Sequence, residues 1–142
     1  MPPVPLTEGA IAEYTSPNPP AGFQAVLTAP ADVRWRIISI RAGFITDATV
    51  INRRPFVEVV PITTLSLVAT SNLNIPAGSS VNLNFMSGWP THPTNVDIDL
   101  SFPLPTDVYV LGAGTITVGA VNLQPGDDIG SIFAVVEEWI QL

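Results

Sequence analysis

Apolar residues recur at every second position along most of this chain, in short runs cut by proline and glycine. That period of two is the spacing of a strand with one buried face. SVNLNFM (80–86) sets Val81, Leu83 and Phe85 on one face and Asn82 and Asn84 on the other. NVDIDLSF (95–102) sets Val96, Ile98, Leu100 and Phe102 against Asp97, Asp99 and Ser101. VRWRIISIRA (33–42) opens with Val33, Trp35 and Ile37 opposite Arg34 and Arg36. FQAVLTA (23–29), TDATVIN (46–52), PFVEVVPI (55–62) and TTLSLVAT (63–70) read as further strands, the last with Leu65, Leu67 and Ala69 on one face. So do DVYVL (107–111), TITVGAVNL (115–123) and IGSIFAVVEEWIQL (129–142). NIPAGSS, SGWPTHPTN, PLPTD, Gly112–Gly114 and QPGDD supply the turns between them. Eight or nine short strands with turns roughly every 8–12 residues predict an all-β sandwich or barrel. About eight strands in two facing sheets is the jelly-roll arrangement. An immunoglobulin-like sandwich is the alternative; it has about seven strands and, in antibody domains, a cysteine pair.

The 142 residues suffice for one domain of ordinary size. Residues 1–22 predict an extended arm ahead of a sandwich domain over 23–142. Pro2, Pro3, Pro5, Pro17, Pro19 and Pro20 fall there, and proline lacks the N–H that a helix or central strand needs. Val4, Leu6, Ile11 and Tyr14 are apolar residues that a solvated tail does not require. They lie either along the domain's own surface or across a neighbour.

Only 12% of the residues are charged and 46% are hydrophobic, which favours either a thick core or apolar surface left over for a partner. The net charge of −7 argues against nucleic acid as the main partner, because duplex binding depends on neutralising phosphates. Lysine is absent, so Schiff-base and P-loop chemistry are excluded. The five arginines, Arg34, Arg36, Arg41, Arg53 and Arg54, stand together with one acid, while residues 55–142 hold eight acids and no base. Such a band either pairs within the domain or draws identical subunits together. No apolar stretch has the length of a membrane-spanning helix, and no secretory leader pattern opens the chain.

Catalytic and metal signatures are sparse. His92, the single histidine, sits between prolines in a loop and has no nucleophile placed by a motif. One histidine and no cysteine exclude an ordinary zinc site. Asp97 with Asp99, and Asp127 with Asp128, do not match a calcium loop and read as exposed strand and turn aspartates. Glu137 and Glu138 are adjacent on a strand and point to opposite faces, which does not suit a glycosidase pair. Trp35 and Trp139 are expected in the core, and Trp89 in a loop is the tryptophan best placed to meet a partner or a sugar. No cofactor and no enzymatic activity are expected.

The run PLPTDVYVLGAGTITVGAVNLQPGDDIGSIFAVVEEWIQL resembles small structural proteins of tailed bacteriophages. The resemblance rests on Pro103–Pro105, the glycine turn, Gln124–Asp128 and Glu137–Trp139, with INRRPFVEVV (51–60) added, and spans roughly residues 30–142. It implies a jelly-roll head decoration, or capsid cement, protein. Such a protein is soluble in the host cytoplasm and then sits on the virion exterior. The resemblance also implies a homotrimer bound to the major capsid protein through terminal arms, with no membrane and no nucleic acid involved. Val4, Leu6, Ile11, Tyr14, Trp89, Arg53 and Arg54 are the contact residues expected on this reading. A carbohydrate-binding or receptor-binding tail component of the same fold is the alternative, using Trp89 and Tyr109. A cupin enzyme is disfavoured by the single histidine.

Overall fold

A computed structural model describes residues 9–60, 67–88 and 99–140. The described residues form eleven strands and no helix. The strands are β1 (Ala10–Thr15), β2 (Ala25–Thr28), β3 (Val33–Ile45), β4 (Arg54–Val60), β5 (Leu67–Thr70), β6 (Ser80–Ser87), β7 (Asp99–Leu104), β8 (Tyr109–Leu111), β9 (Thr115–Val121), β10 (Asp128–Ile129) and β11 (Phe133–Ile140). The larger sheet runs β1-β11-β3-β6-β7, with β8 and β10 also on β3; the smaller runs β2-β9-β4-β5. Both contribute to one core cluster, so the chain is a β-sandwich. All pairings are antiparallel except β6 with β7, which is parallel. A regular jelly roll lacks such a pair.

The alternation seen in the sequence is the alternation of burial. Val33, Trp35 and Ile37 are buried, as are Leu83 and Phe85 in β6, and Leu27, Val57, Val59, Ile116 and Val118 opposite them. β3 is the spine. One edge pairs with β11 and β10, the other with β6 and β8. It outlasts the predicted strand because of a bulge: the register passes from Val135–Ser39 to Val136–Ile37 and skips Ile38. One extra residue resets the phase, so Ile40, Ala42 and Phe44 also face the core.

Four sequence expectations need correction. Residues 46–52 are a loop, not a strand. The Asp47 carboxylate accepts from the Thr49 N–H at 2.9 Å, and the Arg53 guanidinium takes the Thr49 carbonyl at 2.9 Å. Backbone groups that a ladder needs are thereby bound locally, and Val50 is left 93% exposed. The strand ending before PLPTD instead runs through Pro103 to Leu104. Proline is tolerated there because β7 is an edge strand. The final segment is two strands, β10 and β11, broken between Ile129 and Phe133. Lastly, residues 10–15 of the arm are strand β1, laid antiparallel on β11 at the edge of the larger sheet.

Gly112 ends β8 where the backbone of Ala31 crosses it. A Cβ at this position would stand 2.1 Å from the Ala31 carbonyl oxygen. Both partners are backbone, so neither can step aside as a side chain would. Gly112→Ala is expected to cost about 1–3 kcal/mol, measured by urea unfolding. An unchanged midpoint would show that the loop yields freely.

Candidate interaction surface

Three features stand out among the described residues: the tethered arm strand, the outer faces of the two sheets, and a buried arginine at one end of the sandwich.

The arm strand is held by more than its ladder. The Gly9 N–H donates to Glu137 Oε1 at 3.0 Å, and Ser16 exchanges bonds with Ile132, its N–H to the Ile132 carbonyl at 2.9 Å and its Oγ accepting from the Ile132 N–H at 2.7 Å. Tyr14 turns inward. Its ring lies 4.5 Å from that of Trp35, and its hydroxyl donates to Glu138 Oε2. The Trp35 indole N–H donates to the same oxygen at 2.8 Å. One carboxylate thus clamps β1, β3 and β11. The bond to Glu138, then burial, pushes the Tyr14 hydroxyl up to about 12. A raised folded-state value means that the stabilisation is complete below the unfolded value of about 10 and is lost as pH rises through 12. Stability is therefore expected to fall between about pH 10 and 12 in the wild type, and less steeply in Tyr14→Phe. Parallel alkaline melting curves for the two proteins would contradict this.

The strand registers lay out the outer face of the larger sheet in cross-strand rows. Ile11, Glu137, Arg36 and Tyr109 form one row; Glu13, Val135, Ser39, Met86 and Pro103 form the next; Thr15, Phe133, Arg41, Asn84 and Ser101 form the third. Arg36 Nε donates to Glu137 at 2.7 Å and Arg41 Nε to Asn84 Oδ1 at 3.0 Å. The Gly9 N–H first, and then Arg36, hold the Glu137 carboxyl below the usual carboxylate range. Arg34 differs. Its guanidinium carbon lies 4.7 Å from the Trp139 ring and 5.5 Å from the Tyr109 ring. Its Nε is buried and has no acceptor among the described residues. Ile11, Phe133 and Ile140 are exposed apolar residues on this sheet.

The outer face of the smaller sheet is less charged. Val26, Thr117, Glu58 and Val68 make its central row, with Phe56 over Gly119 beside it and Val60 beyond.

At one end of the sandwich, Arg53 is completely buried. Its Nε donates to Asp127 Oδ2 at 2.7 Å and its Nη2 to Asp47 Oδ1 at 2.6 Å. The Asp127 carboxylate also accepts from the N–H groups of Asp47 and Gln124, both at 2.8 Å. Burial opposes the Asp127 charge, but the Arg53 bond and the two backbone donors outweigh it and hold the carboxyl below the usual range. The Gly22 N–H donates to the Asp127 carbonyl at 2.7 Å, so the end of the arm is tied into the same knot.

The expected contact residues therefore divide. Ile11 is exposed on the outer face of β1, and Arg54 is exposed at the start of β4. Tyr14 and Arg53 point inward. Tyr14 packs inward against the core, and Arg53 directs all its bonds into its own loops, so neither presents its polar group to a partner. Val4, Leu6, Trp89 and His92 lie outside the described residues. Trp35 is in the core as expected, whereas Trp139 is half-buried on the outer face. Asp127, expected as a solvated turn aspartate, is fully buried. The signal for it was thin: an arginine in an apolar chain, far from any sequence-adjacent acid. Among the described residues, no group of three or more histidine, cysteine, aspartate or glutamate side chains is placed to hold a metal ion. No protein-family model and no curated protein sequence matches the chain.

Proposed function

We propose that this chain is a structural protein of a phage virion, a jelly-roll-type decoration subunit that binds the outside of the head through its arm and an outer sheet face. The observation that carries this reading is the arm strand itself. β1 lies at the sheet edge with one edge unpaired among the described residues, and it displays Ile11, 66% exposed, one row from Val135, with Phe133 opposite Thr15 further along the strand. An open strand edge next to apolar side chains is a surface that another chain completes. The polar knot around Arg53 and the clamp at Glu138 suit a part that bears load, because both tie distant segments together. On this proposal the major capsid protein is the partner, the subunits meet as a trimer, and no reaction is catalysed.

Heads assembled without this chain, by the virus that encodes it, should bind the purified protein to saturation and melt at a higher temperature once coated. Ile11→Asp should weaken that binding while leaving the free protein's melting temperature nearly unchanged. Heads that take up none of the chain would overturn the proposal. Binding to a glycan array without binding to heads would move the function to a tail or receptor role.

A further inference from the structure

The two outer faces of the sandwich carry complementary unfinished charges. On the larger sheet, Arg34 is held between Trp139 and Tyr109, and its Nε has no acceptor among the described residues. The ion pairs of the described residues join Arg36 to Glu137 and Arg53 to Asp47 and Asp127; neither Arg34 nor Glu58 takes part in one. A desolvated guanidinium donor without an acceptor is a standing cost, and an arriving carboxylate relieves it. The flanking rings already fix the guanidinium, so little freedom is lost when a carboxylate binds.

On the smaller sheet, Glu58 is a half-buried carboxylate in the central row, between Val26 and Val68 along the row and next to Phe56 and Val60 along its strand. Arg54, on the same strand and face, stands four residues away, about 13 Å along a strand, too far for a direct bond. Among the described residues, Arg34 is thus the cation held outside an ion pair on the larger face, which also carries the exposed Glu13 at its β1 edge, and Glu58 is the half-buried carboxylate of the smaller face, which also carries the exposed Arg54. A chain with net charge −7 has few cations to spare, and most of the others are committed: Arg36, Arg41 and Arg53 already have partners.

We propose that copies of this chain associate head to tail, the outer face of the larger sheet of one copy against the outer face of the smaller sheet of the next, with Arg34 of one paired to Glu58 of the other. This goes beyond the decoration reading and does not depend on a capsid. Because the two faces lie on opposite sides of the sandwich, the contact is heterologous. It makes a ring where the rotation closes and a filament where it does not. Four strands of four, seven, seven and four residues present roughly 350 Å², which puts the contact among weak interfaces that form only at high protein concentration.

The test is solution mass by light scattering up to near-millimolar chain, on the wild type, Arg34→Glu, Glu58→Arg, and an equimolar mixture of the two variants. The wild type should exceed the 15.1 kDa of a single chain as concentration rises. Each variant alone should remain at single-chain mass, since it carries like charges on both faces. The mixture should recover association, because every contact then pairs a glutamate with an arginine. Circular dichroism melting of each variant checks that it folds, and Glu58→Arg keeps the test open if Arg34→Glu disturbs its aromatic neighbours. A wild type that stays at single-chain mass overturns the proposal, as do variants that associate like the wild type or a mixture that does not recover. Arg34-dependent binding of an acidic peptide by a monomeric wild type would overturn it too, and assign the face to another protein.

Discussion

Replacing Arg53 with methionine should cost about 3–5 kcal/mol, the typical penalty for removing one partner of a buried ion pair. Methionine fills much of the space but supplies no donors. Asp127, with no exposed surface, would keep the two backbone N–H bonds and lose its counter-ion, and the Thr49 carbonyl would lose its donor. For a domain of this size the melting temperature should drop on the order of 10 °C. The pH dependence identifies the cause. Asp127 has a lowered folded-state value, so its contribution is fully present above an unfolded value of about 4 and is lost as pH falls through the folded one. In the variant, the same buried carboxylate has no cation and is relieved by protonation. The stability gap between wild type and Arg53→Met should therefore narrow in acid. A gap that holds constant from neutral pH down to acid unfolding would mean that packing, not charge, is what Arg53 supplies. Arg53→Lys should fall between the two, because a single ammonium cannot reproduce a fork that bonds both carboxylates and a loop carbonyl.

The second large effect is expected at Trp35. The side chain is entirely buried, packs on Tyr14 and donates to Glu138. Trp35→Ala should cost about 3–5 kcal/mol, from lost transfer energy and the cavity left behind. Trp35→Phe keeps a six-membered ring but loses the indole donor and some buried volume, so its cost should be at least the roughly 1.5–3 kcal/mol of a hydrogen bond to a charged group. Urea unfolding of both variants separates the two contributions. Equal losses would mean that the clamp on Glu138, rather than the volume of the ring, holds this part of the core.

These two sites mark where the sequence is informative and where it is silent. The placement of Trp35 in the core follows from alternation with Arg34 and Arg36, since one strand fixes all three. The same rule located Leu83 and Phe85. Arg53 is different. Its burial depends on Asp47 and Thr49 from the loop that precedes it and on Asp127 from a loop more than seventy residues away, and no local pattern reports that they converge. Asp127 follows a Pro-Gly pair and looks like any turn aspartate. β1 is masked by its flanks: prolines on both sides point to an extended arm lying on the domain's own surface or across a neighbour, while the inward positions Ala12 and Tyr14 give a weak apolar signal over six residues. The outer-face site around Arg34 draws on β3, β8 and β11, so it exists only once the larger sheet has formed.

The pairing of β1 with β11 also bears on how the chain is made. Gly9 bonds to Glu137, 128 residues further along. β1 therefore leaves the ribosome long before its partner β11 and waits for it. Contacts this remote in sequence are slow to form. Until β11 has been made it is missing from between β1 and β3, and both present open edges. Prolines on either side of β1 then act as a guard, because strands rich in proline nearby are poor templates for aggregation. A chain released before β11 has been made lacks the strand that joins β1 to β3, so its larger sheet cannot close.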